Sequence, residues 1–243
     1  MSAPKTININ MNEEIHNFSE NNLKLNLGCG KDIKMGFINI DYEEKPGVHL
    51  DVIADLSYGI PLESSSAEFI YSSHMIEHLD WIKGANFLQE CFRCLESGGQ
   101  LRLLFPNFKK IMTAYVSNDF EFFSDIIDYL NNDYLYYQTM VDNPKEIIKY
   151  RKNNMPPSWH YSDNADDRRK VKLRARKYKY MIECIDWFVH QYGEHVALYD
   201  NEMIKGLLKD IGFKDVQFSK YNNEIDASNP IRVKTTSYIT AYK

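Results

Sequence analysis

Short apolar runs that end in glycine or in a carboxylate recur near the start of the chain. They are residues 23–27, which lead into Gly28-Cys29-Gly30, residues 37–40, which stop at Asp41, and residues 50–54, which stop at Asp55. A short apolar run with such an ending is typical of a buried strand followed by a turn. The pattern therefore predicts three strands whose carboxyl ends carry a glycine turn and two carboxylates.

Strand and helix patterns continue to alternate up to residue 106. Residues 69–71 predict a fourth strand, and residues 81–95 carry apolar side chains at helical spacing. Gly98-Gly99 is predicted to end that helix, and residues 101–105 form a fifth strand that Pro106 closes. The chain thus starts as an alternating α/β sequence.

The carboxyl-terminal part completes this pattern. Asp200 begins a predicted helix that stops at Gly212, and residues 213–218 and 235–242 read as two closing strands. Such alternation predicts a mostly parallel sheet with right-handed connections, whose ligands bind beyond the carboxyl ends of the strands. The short distance in sequence from Gly30 to Asp41 leaves room only for a turn where the first helix would be.

The strand pattern disappears between residues 107 and 193. Helices are predicted there at residues 109–116, 120–131, 144–152 and 166–191, the last with an apolar stripe. We interpret residues 107–193 as a helical insertion after strand five, either a substrate cap or an interface. The Rossmann-like domain then comprises residues 23–106 and 194–243, and residues 1–22 form a polar lead-in without the apolar segment of a secretory signal.

Composition narrows the class of protein. The 243 residues are 44% hydrophobic and 26% charged, with a formal charge of −5, and no apolar run approaches the roughly 20 residues of a membrane span. Four cysteines are too few for a disulfide framework, so cytoplasmic residence is the expectation. Cys91 and Cys94 spell C-x-x-C, which we interpret as two buried residues one helical turn apart rather than a redox pair or half a zinc site.

Six short motifs in order resemble the class I S-adenosylmethionine-dependent methyltransferases, in particular the small methyltransferase type 11 enzymes often associated with sugar and polysaccharide metabolism. The motifs are LNLGCG, INID, DVIADL, FIYSSHMIEHL, LESGGQLRLLFPN and YDNEMIKGLLKDIGFKDV. The resemblance covers residues 23–106 strongly and 195–243 moderately. It implies S-adenosylmethionine as cofactor and a Rossmann-like, seven-stranded, mostly parallel sheet of order 3-2-1-4-5-7-6.

The resemblance also implies which residues bind the cofactor. Gly28 and Gly30, which lack Cβ atoms, let the backbone approach the methionyl part of the cofactor. Asp41 would accept both ribose hydroxyls and Asp55 would contact the adenine amino group, although a lone Asp after a strand is usually a turn residue. The further expected contacts are Asn26, where the family usually has an acidic residue, Cys29, Tyr42, Leu56 beside the adenine ring, Ser73 and His74.

His74, Glu77 and His78 spell H-x-x-E-H. The same letters form an inverted zinc-protease motif, but that motif needs a helix of a metalloprotease scaffold, whereas this one follows a predicted strand. Some related small-molecule methyltransferases carry an E-x-x-E-H metal motif at this place, and His74 departs from it. We therefore expect no metal, with His74 against the cofactor and His78 packed locally.

A general base is useful when the methyl acceptor is a hydroxyl or a protonated amine, and imidazole suits that task near neutral pH. The candidate bases are His195, which precedes the helix at Asp200, His160, which lies in an aromatic stretch, and His78. A histidine packed in a core or exposed on a loop is the alternative for each of them.

Residues 168–179 concentrate eight lysines and arginines. We rank a solvated or interface helix first, a site for a small anionic substrate second and a nucleic-acid surface third, because the whole chain is acidic. The expected function is methyl transfer to an oxygen or nitrogen of a small-molecule or saccharide-type acceptor. The alternatives are an RNA or protein methyltransferase that docks through this segment, and a catalytically silent cofactor-binding protein. Aromatic residues of the insertion can line a substrate or a homodimer contact: Tyr134, Tyr136, Tyr137, Trp159 and Tyr161.

Overall fold

A seven-stranded sheet is the centre of the fold in the computed structural model, which describes residues 22–141, 179–191, 194–227 and 229–243. Its strands are β1 (Leu23–Leu27), β2 (Ile38–Asp41), β3 (Val52–Ile53), β4 (Ala67–Ser73), β5 (Leu95–Pro106), β6 (Lys214–Phe218) and β7 (Thr236–Tyr242). Their order is β3-β2-β1-β4-β5-β7-β6. The first five strands pair in parallel, and β7 pairs antiparallel with both β5 and β6. The predicted fold class and strand order are confirmed.

Helices lie between and beyond these strands. They are α1 (Trp81–Cys94), α2 (Phe108–Val116), α3 (Phe120–Val141), α4 (Met181–His190), α5 (Asn201–Ile211) and α6 (Pro230–Thr235), and a 3-10 turn lies at Ile76–His78. None of the helices in the described ranges combines the length and the apolar character that a membrane crossing requires.

The chain divides into two compact units. The sheet unit lies within Met1–Lys109 and His195–Lys243, and it contains the whole sheet with α1, α5 and α6. The helical unit lies within Lys110–Glu194 and contains most of α2, together with α3 and α4, which pack against each other. The role of residues 107–193 as a cap or interface stays a prediction.

Buried apolar side chains explain why the central strands form. Leu25 and Leu27 on β1 are 0% exposed, as is Ile40 on β2. A parallel sheet covered on both faces buries nearly every strand side chain, so its strands read as continuous apolar runs. Asp80 begins α1 by accepting hydrogen bonds from the amides of Ile82 and Lys83 at its N-terminus.

The predicted end of α1 at Gly98-Gly99 is wrong. The helix ends at Cys94, and Leu95 already has an extended backbone (ψ 139°) and pairs with Ala67 of β4. Leu95 is 0% exposed, so its burial in the sheet core outweighs the helical spacing of the segment. Gly98 (φ 84°) then lies inside β5, at an irregularity of the strand, and its amide donates to the carbonyl of Lys243.

Helices α3, α4 and α6 differ from the prediction. The predicted continuous helix over 166–191 is wrong, because Lys179 and Tyr180 are not helical and α4 begins at Met181. The Glu183 carboxylate accepts from both of their amides, at 2.8 and 2.9 Å, and so fixes the start of α4. Helix α3 extends ten residues beyond the predicted end, and α6 was not predicted. Residues 144–152 and 166–178 lie outside the described residues.

Cys91 and Cys94 are both 0% exposed on α1. Burial raises the pKa of both thiols, that of Cys94 to about 11. Both are therefore protonated near neutral pH, and the interpretation of C-x-x-C as two buried residues is confirmed.

Candidate functional site

The turn after β1 combines two left-handed glycines with different surroundings. Gly28 has φ 66° and Gly30 has φ 55°, a region that glycine enters without strain. A Cβ atom built on Gly28 would lie 2.2 Å from Cγ of Met75, whereas one built on Gly30 would meet no atom of the described residues within 4 Å. The backbone at Gly30 therefore faces open space, as the approach of a ligand requires.

Asp41 lies against this turn. Its carboxylate is 7% exposed at the end of β2, Oδ2 accepts from the Gly30 amide at 2.7 Å, and Oδ1 accepts from the Tyr42 amide at 2.7 Å. A carboxylate has about four lone-pair sites, so Asp41 can still accept hydrogen bonds from a ribose. The structure thus brings together two parts of the predicted cofactor site.

Asp55 has the surroundings of a turn residue. It is exposed, two residues beyond β3, and its Oδ1 accepts from the Ser57 amide at 2.9 Å. Leu56 is 6% exposed and belongs to the hydrophobic core, while the Tyr42 ring is 60% exposed below the Lys45 ammonium. The cofactor contacts of these three residues stay predictions.

The Asn26 side chain holds the turn after β1. It is 1% exposed, and its Nδ2 donates to the Asp32 carbonyl at 2.7 Å and to Asn39 Oδ1 at 2.9 Å. Because both N–H groups have acceptors within the protein, a cofactor ammonium could be bound only through Oδ1 of Asn26. That contact stays a prediction, as does the contact of Cys29, a buried thiol whose pKa is raised to about 12 by burial and by the Asp41 charge.

Asn39, which no sequence motif indicated, organises the same turn. Its Oδ1 accepts from the Lys34 amide, and its Nδ2 donates to the carbonyls of Lys34 and Phe37 and to Asp51 Oδ2. Residues 31–37 form no helix, as predicted from the spacing. An asparagine in the middle of an apolar strand was the available signal, because a buried amide needs several partners.

Beside the glycine turn, the chain leaves β4 through Ser73 and His74. His74 has φ 53°, a conformation that costs a non-glycine residue on the order of 1 kcal/mol. Its Nδ1 lies 3.1 Å from Glu77 Oε1 and its Nε2 lies 2.8 Å from Thr236 Oγ1. Both ring nitrogens are therefore engaged, and the predicted contacts of Ser73 and His74 with the cofactor stay predictions.

Glu77, His78 and His195 form a compact group, which we call the Glu77 cluster. Glu77 is 2% and His195 is 8% exposed, and each residue offers one ligand-type atom within 4.8 Å of the others. His195 Nε2 lies 4.0 Å from Glu77 Oε1, and the rings of His78 and His195 meet edge to face at 5.1 Å. The Glu77 carbonyl accepts from the amides of Val196 and Ala197, which fixes the segment that carries His195.

Electrostatics keep the Glu77 carboxyl charged. Burial raises the pKa of this carboxyl, but the hydrogen bond from His74 and the attraction of the neighbouring imidazoles outweigh this effect and lower the pKa. Burial lowers the pKa of His74 despite Glu77, so that imidazole is neutral near pH 7. A neutral His74 donates from Nδ1 to the carboxylate and accepts from the Thr236 hydroxyl.

The structure therefore brings together two of the three predicted bases, His78 and His195. It adds Glu77, which the sequence analysis named only as a letter of the H-x-x-E-H motif. His160 lies outside the described residues, as do Trp159, Tyr161 and the basic segment up to residue 178. The catalytic role of each histidine stays a prediction.

Comparisons with known proteins agree with this geometry. Residues 25–103 match the family model described as a methyltransferase domain (Methyltransf_11). Over 98 residues the chain is 32% identical to a probable S-adenosylmethionine-dependent methyltransferase of Mycolicibacterium smegmatis, which covers 34% of this chain and 37% of the relative. The chain thus matches little more than a third of the length of that relative.

Solved structures with a similar course of the chain include two S-adenosylmethionine-dependent methyltransferases. The one from Archaeoglobus fulgidus is 15% identical, with a TM-score of 0.45 over 94% of this chain and 89% of its own. The one from Mesorhizobium loti is 13% identical, with a TM-score of 0.44 over 94% and 95%. Similarity at this level carries no argument about function, so the fold class rests on the strand order of the chain itself.

The sheet unit contains a class I S-adenosylmethionine-dependent methyltransferase domain. The match of residues 25–103, the strand order and the glycine turn beside Asp41 agree on this class. The predicted family, enzyme class and cofactor are confirmed for this domain. The acceptor is a separate question, because a match to a methyltransferase domain does not identify one.

Proposed function

We propose that the chain transfers the methyl group of S-adenosylmethionine to an oxygen or nitrogen of a small-molecule or saccharide-type acceptor. The observation that carries this proposal is the position of the Glu77 cluster. Met75 packs against Gly28 of the glycine turn and lies two residues before Glu77 in the chain. The predicted donor-binding turn and the titratable groups therefore lie at the carboxyl edge of the sheet, where ligands of such folds bind, and this proximity supports the proposal.

The donor side of the site needs few groups. The open space at Gly30 leaves room for the methionyl part, and the Asp41 carboxylate can accept the ribose hydroxyls. Hydrogen bonds to a charged group contribute about 1.5–3 kcal/mol each, so Asp41 should dominate affinity for the cofactor. The cofactor supplies a methyl group on a sulfonium, which is already an activated leaving group.

The acceptor side has to position an acceptor atom and withdraw its proton. Positioning alone can lower a barrier by about 7–11 kcal/mol in well-oriented systems. His195 and His78 are imidazoles beside a carboxylate, a combination suited to activating a hydroxyl or an amine. The net charge of −5 favours a small acceptor over a nucleic acid, and the saccharide class follows from the resemblance to methyltransferase type 11 enzymes.

The test is transfer of an isotope-labelled methyl group from the cofactor to fractions of a cell extract. We expect label in the metabolite or glycan fraction, and at least tenfold less label with Asp41→Ala when the cofactor is limiting. Asp210→Ala, an exposed carboxylate on α5, is the matched control and should label like the wild type. Label in RNA or protein would overturn the acceptor class, and cofactor binding without any transfer would indicate a catalytically silent protein.

A further inference from the structure

We propose that Glu77, His78 and His195 bind a divalent cation of the Mn²⁺ or Zn²⁺ type. The site lies in the sheet unit, at the edge that also carries the glycine turn. This proposal replaces the expectation from the sequence that no metal is bound. The binding site stands on its own geometry, whereas its use in catalysis rests on the proposed function.

The first observation is convergence of three ligand atoms from two distant parts of the chain. One carboxylate oxygen and one nitrogen from each imidazole lie within 4.8 Å of one another. Ligands bound to one tetrahedral ion at about 2.1 Å lie roughly 3.4 Å apart. Side-chain movement of about 1 Å would therefore close the group around an ion.

The second observation is an unsatisfied oxygen. Glu77 Oε2 is buried and has no hydrogen-bond partner among the described residues. The Glu77 side chain is only 3% exposed, so bulk water does not reach this oxygen. A buried acceptor without a partner costs about 1–3 kcal/mol, and more when it is charged. A cation bound to this oxygen would remove that cost and would explain why the oxygen has no hydrogen-bond partner.

His74 is not a ligand in this site. Its two ring nitrogens already contact Glu77 Oε1 and Thr236 Oγ1, so it has no lone pair for a cation. Its Nδ1 instead donates a hydrogen bond to Oε1 of Glu77. Such hydrogen bonds from neighbouring side chains orient the residues that bind a metal. The two hydrogen bonds from Val196 and Ala197 to the Glu77 carbonyl fix His195 in the same way.

The ligand types select the ion. Two imidazoles and one carboxylate suit Mn²⁺, Fe²⁺ or Zn²⁺, whereas Mg²⁺ and Ca²⁺ prefer oxygen ligands alone. Three protein ligands leave at least one position open, which is typical of catalytic rather than structural metal sites. With the ion bound, His78 and His195 are ligands rather than bases, and an acceptor oxygen in the open position would instead have its pKa lowered by the ion.

The site is tested by titrating the EDTA-treated chain with MnCl₂ or ZnCl₂, without donor or acceptor, by calorimetry and by electron paramagnetic resonance of Mn²⁺. We expect one ion per chain, an increase in Tm with the ion, and an affinity at least tenfold lower for Glu77→Gln. Gln has the shape of Glu and can still accept from His74. His49→Ala removes an exposed histidine, also paired with a glutamate, and should bind like the wild type.

His78→Gln is a second variant, to be used where Glu77→Gln does not fold, and we expect the same loss of affinity. No uptake of either ion at millimolar concentration, or unchanged affinity in these variants, would overturn the cation site. Cofactor titration in EDTA is a separate readout, so failure of the metal site is distinguishable from failure of the methyltransferase assignment.

Discussion

At the scale of single residues, Gly28 and Gly30 share a left-handed backbone but not their surroundings. Alanine in this conformation costs about 1–2 kcal/mol at either position. At Gly28 the added methyl group also meets Met75 at 2.2 Å, whereas at Gly30 it enters open space. Gly28 is therefore required for close packing, whereas access of a ligand is the predicted role of Gly30.

This difference leads to a crossed prediction. We expect Gly28→Ala to lower the free energy of unfolding by about 1–3 kcal/mol more than Gly30→Ala, because overpacking adds to the backbone strain. Gly30→Ala should lower stability less than Gly28→Ala. It should nevertheless weaken the binding of S-adenosylhomocysteine, because its added methyl group enters the space predicted for the ligand. Urea unfolding and calorimetry measure the two quantities. Equal stability of the two variants would show that Met75 moves aside freely.

The sequence predicted the site residues that the family motifs contain. The turn at Gly28 to Gly30 and Asp41 were predicted because the family motifs place them at neighbouring strand ends. The contact of Glu77 with His195 could not be predicted, because the two residues are far apart in the chain and only the fold brings them together. Asn39 was missed because its importance lies in its hydrogen bonds rather than in a motif.

At the scale of elements, two helical glycines provide a matched pair. Gly84 on α1 faces Tyr199, whose hydroxyl would lie 2.2 Å from an added Cβ, whereas a Cβ on Gly206 of α5 would meet nothing within 4 Å in the described residues. Glycine inside a helix is destabilising by about 0.5–1 kcal/mol relative to alanine. The same substitution should therefore change stability in opposite directions.

We expect Gly206→Ala to stabilise the protein by about 0.5–1 kcal/mol and Gly84→Ala to destabilise it by about 1–3 kcal/mol. Adding Tyr199→Phe removes the hydroxyl in conflict and should recover part of the loss, which a double-mutant cycle in urea measures. Stabilisation by Gly84→Ala would mean that α1 does not pack against Tyr199 as described.

Element types were predicted better than element ends. Apolar runs and helical spacing identified all seven strands and the helices α1 and α5, because burial in the sheet imposes those periods. The C-terminal end of α1 depends on tertiary burial of Leu95, and the start of α4 depends on hydrogen bonds to Glu183. Neither effect is visible in periodicity, so these two boundaries were misplaced, whereas the start of α1 at Trp81 was predicted correctly.

At the scale of the whole molecule, the sheet unit carries every residue on which the account of the site depends. The glycine turn, Asp41 and the Glu77 cluster all lie within residues 22–109 and 195–243. A helical unit inserted after β5 lets such a fold change its acceptor while the donor site is kept, since function in these folds resides in loops and insertions. Whether residues 107–193 cap the site stays a prediction.

The central claim is that the sheet's carboxyl edge binds the adenosyl cofactor through the glycine turn and Asp41. Its most direct test is calorimetric titration of the whole chain and of Asp41→Ala with S-adenosylhomocysteine, with Asp210→Ala as control. The account predicts one bound cofactor per chain and at least a tenfold loss of affinity in Asp41→Ala, which corresponds to about 1.4 kcal/mol. An unchanged affinity in that variant, or no binding by the wild type at millimolar cofactor, would contradict it.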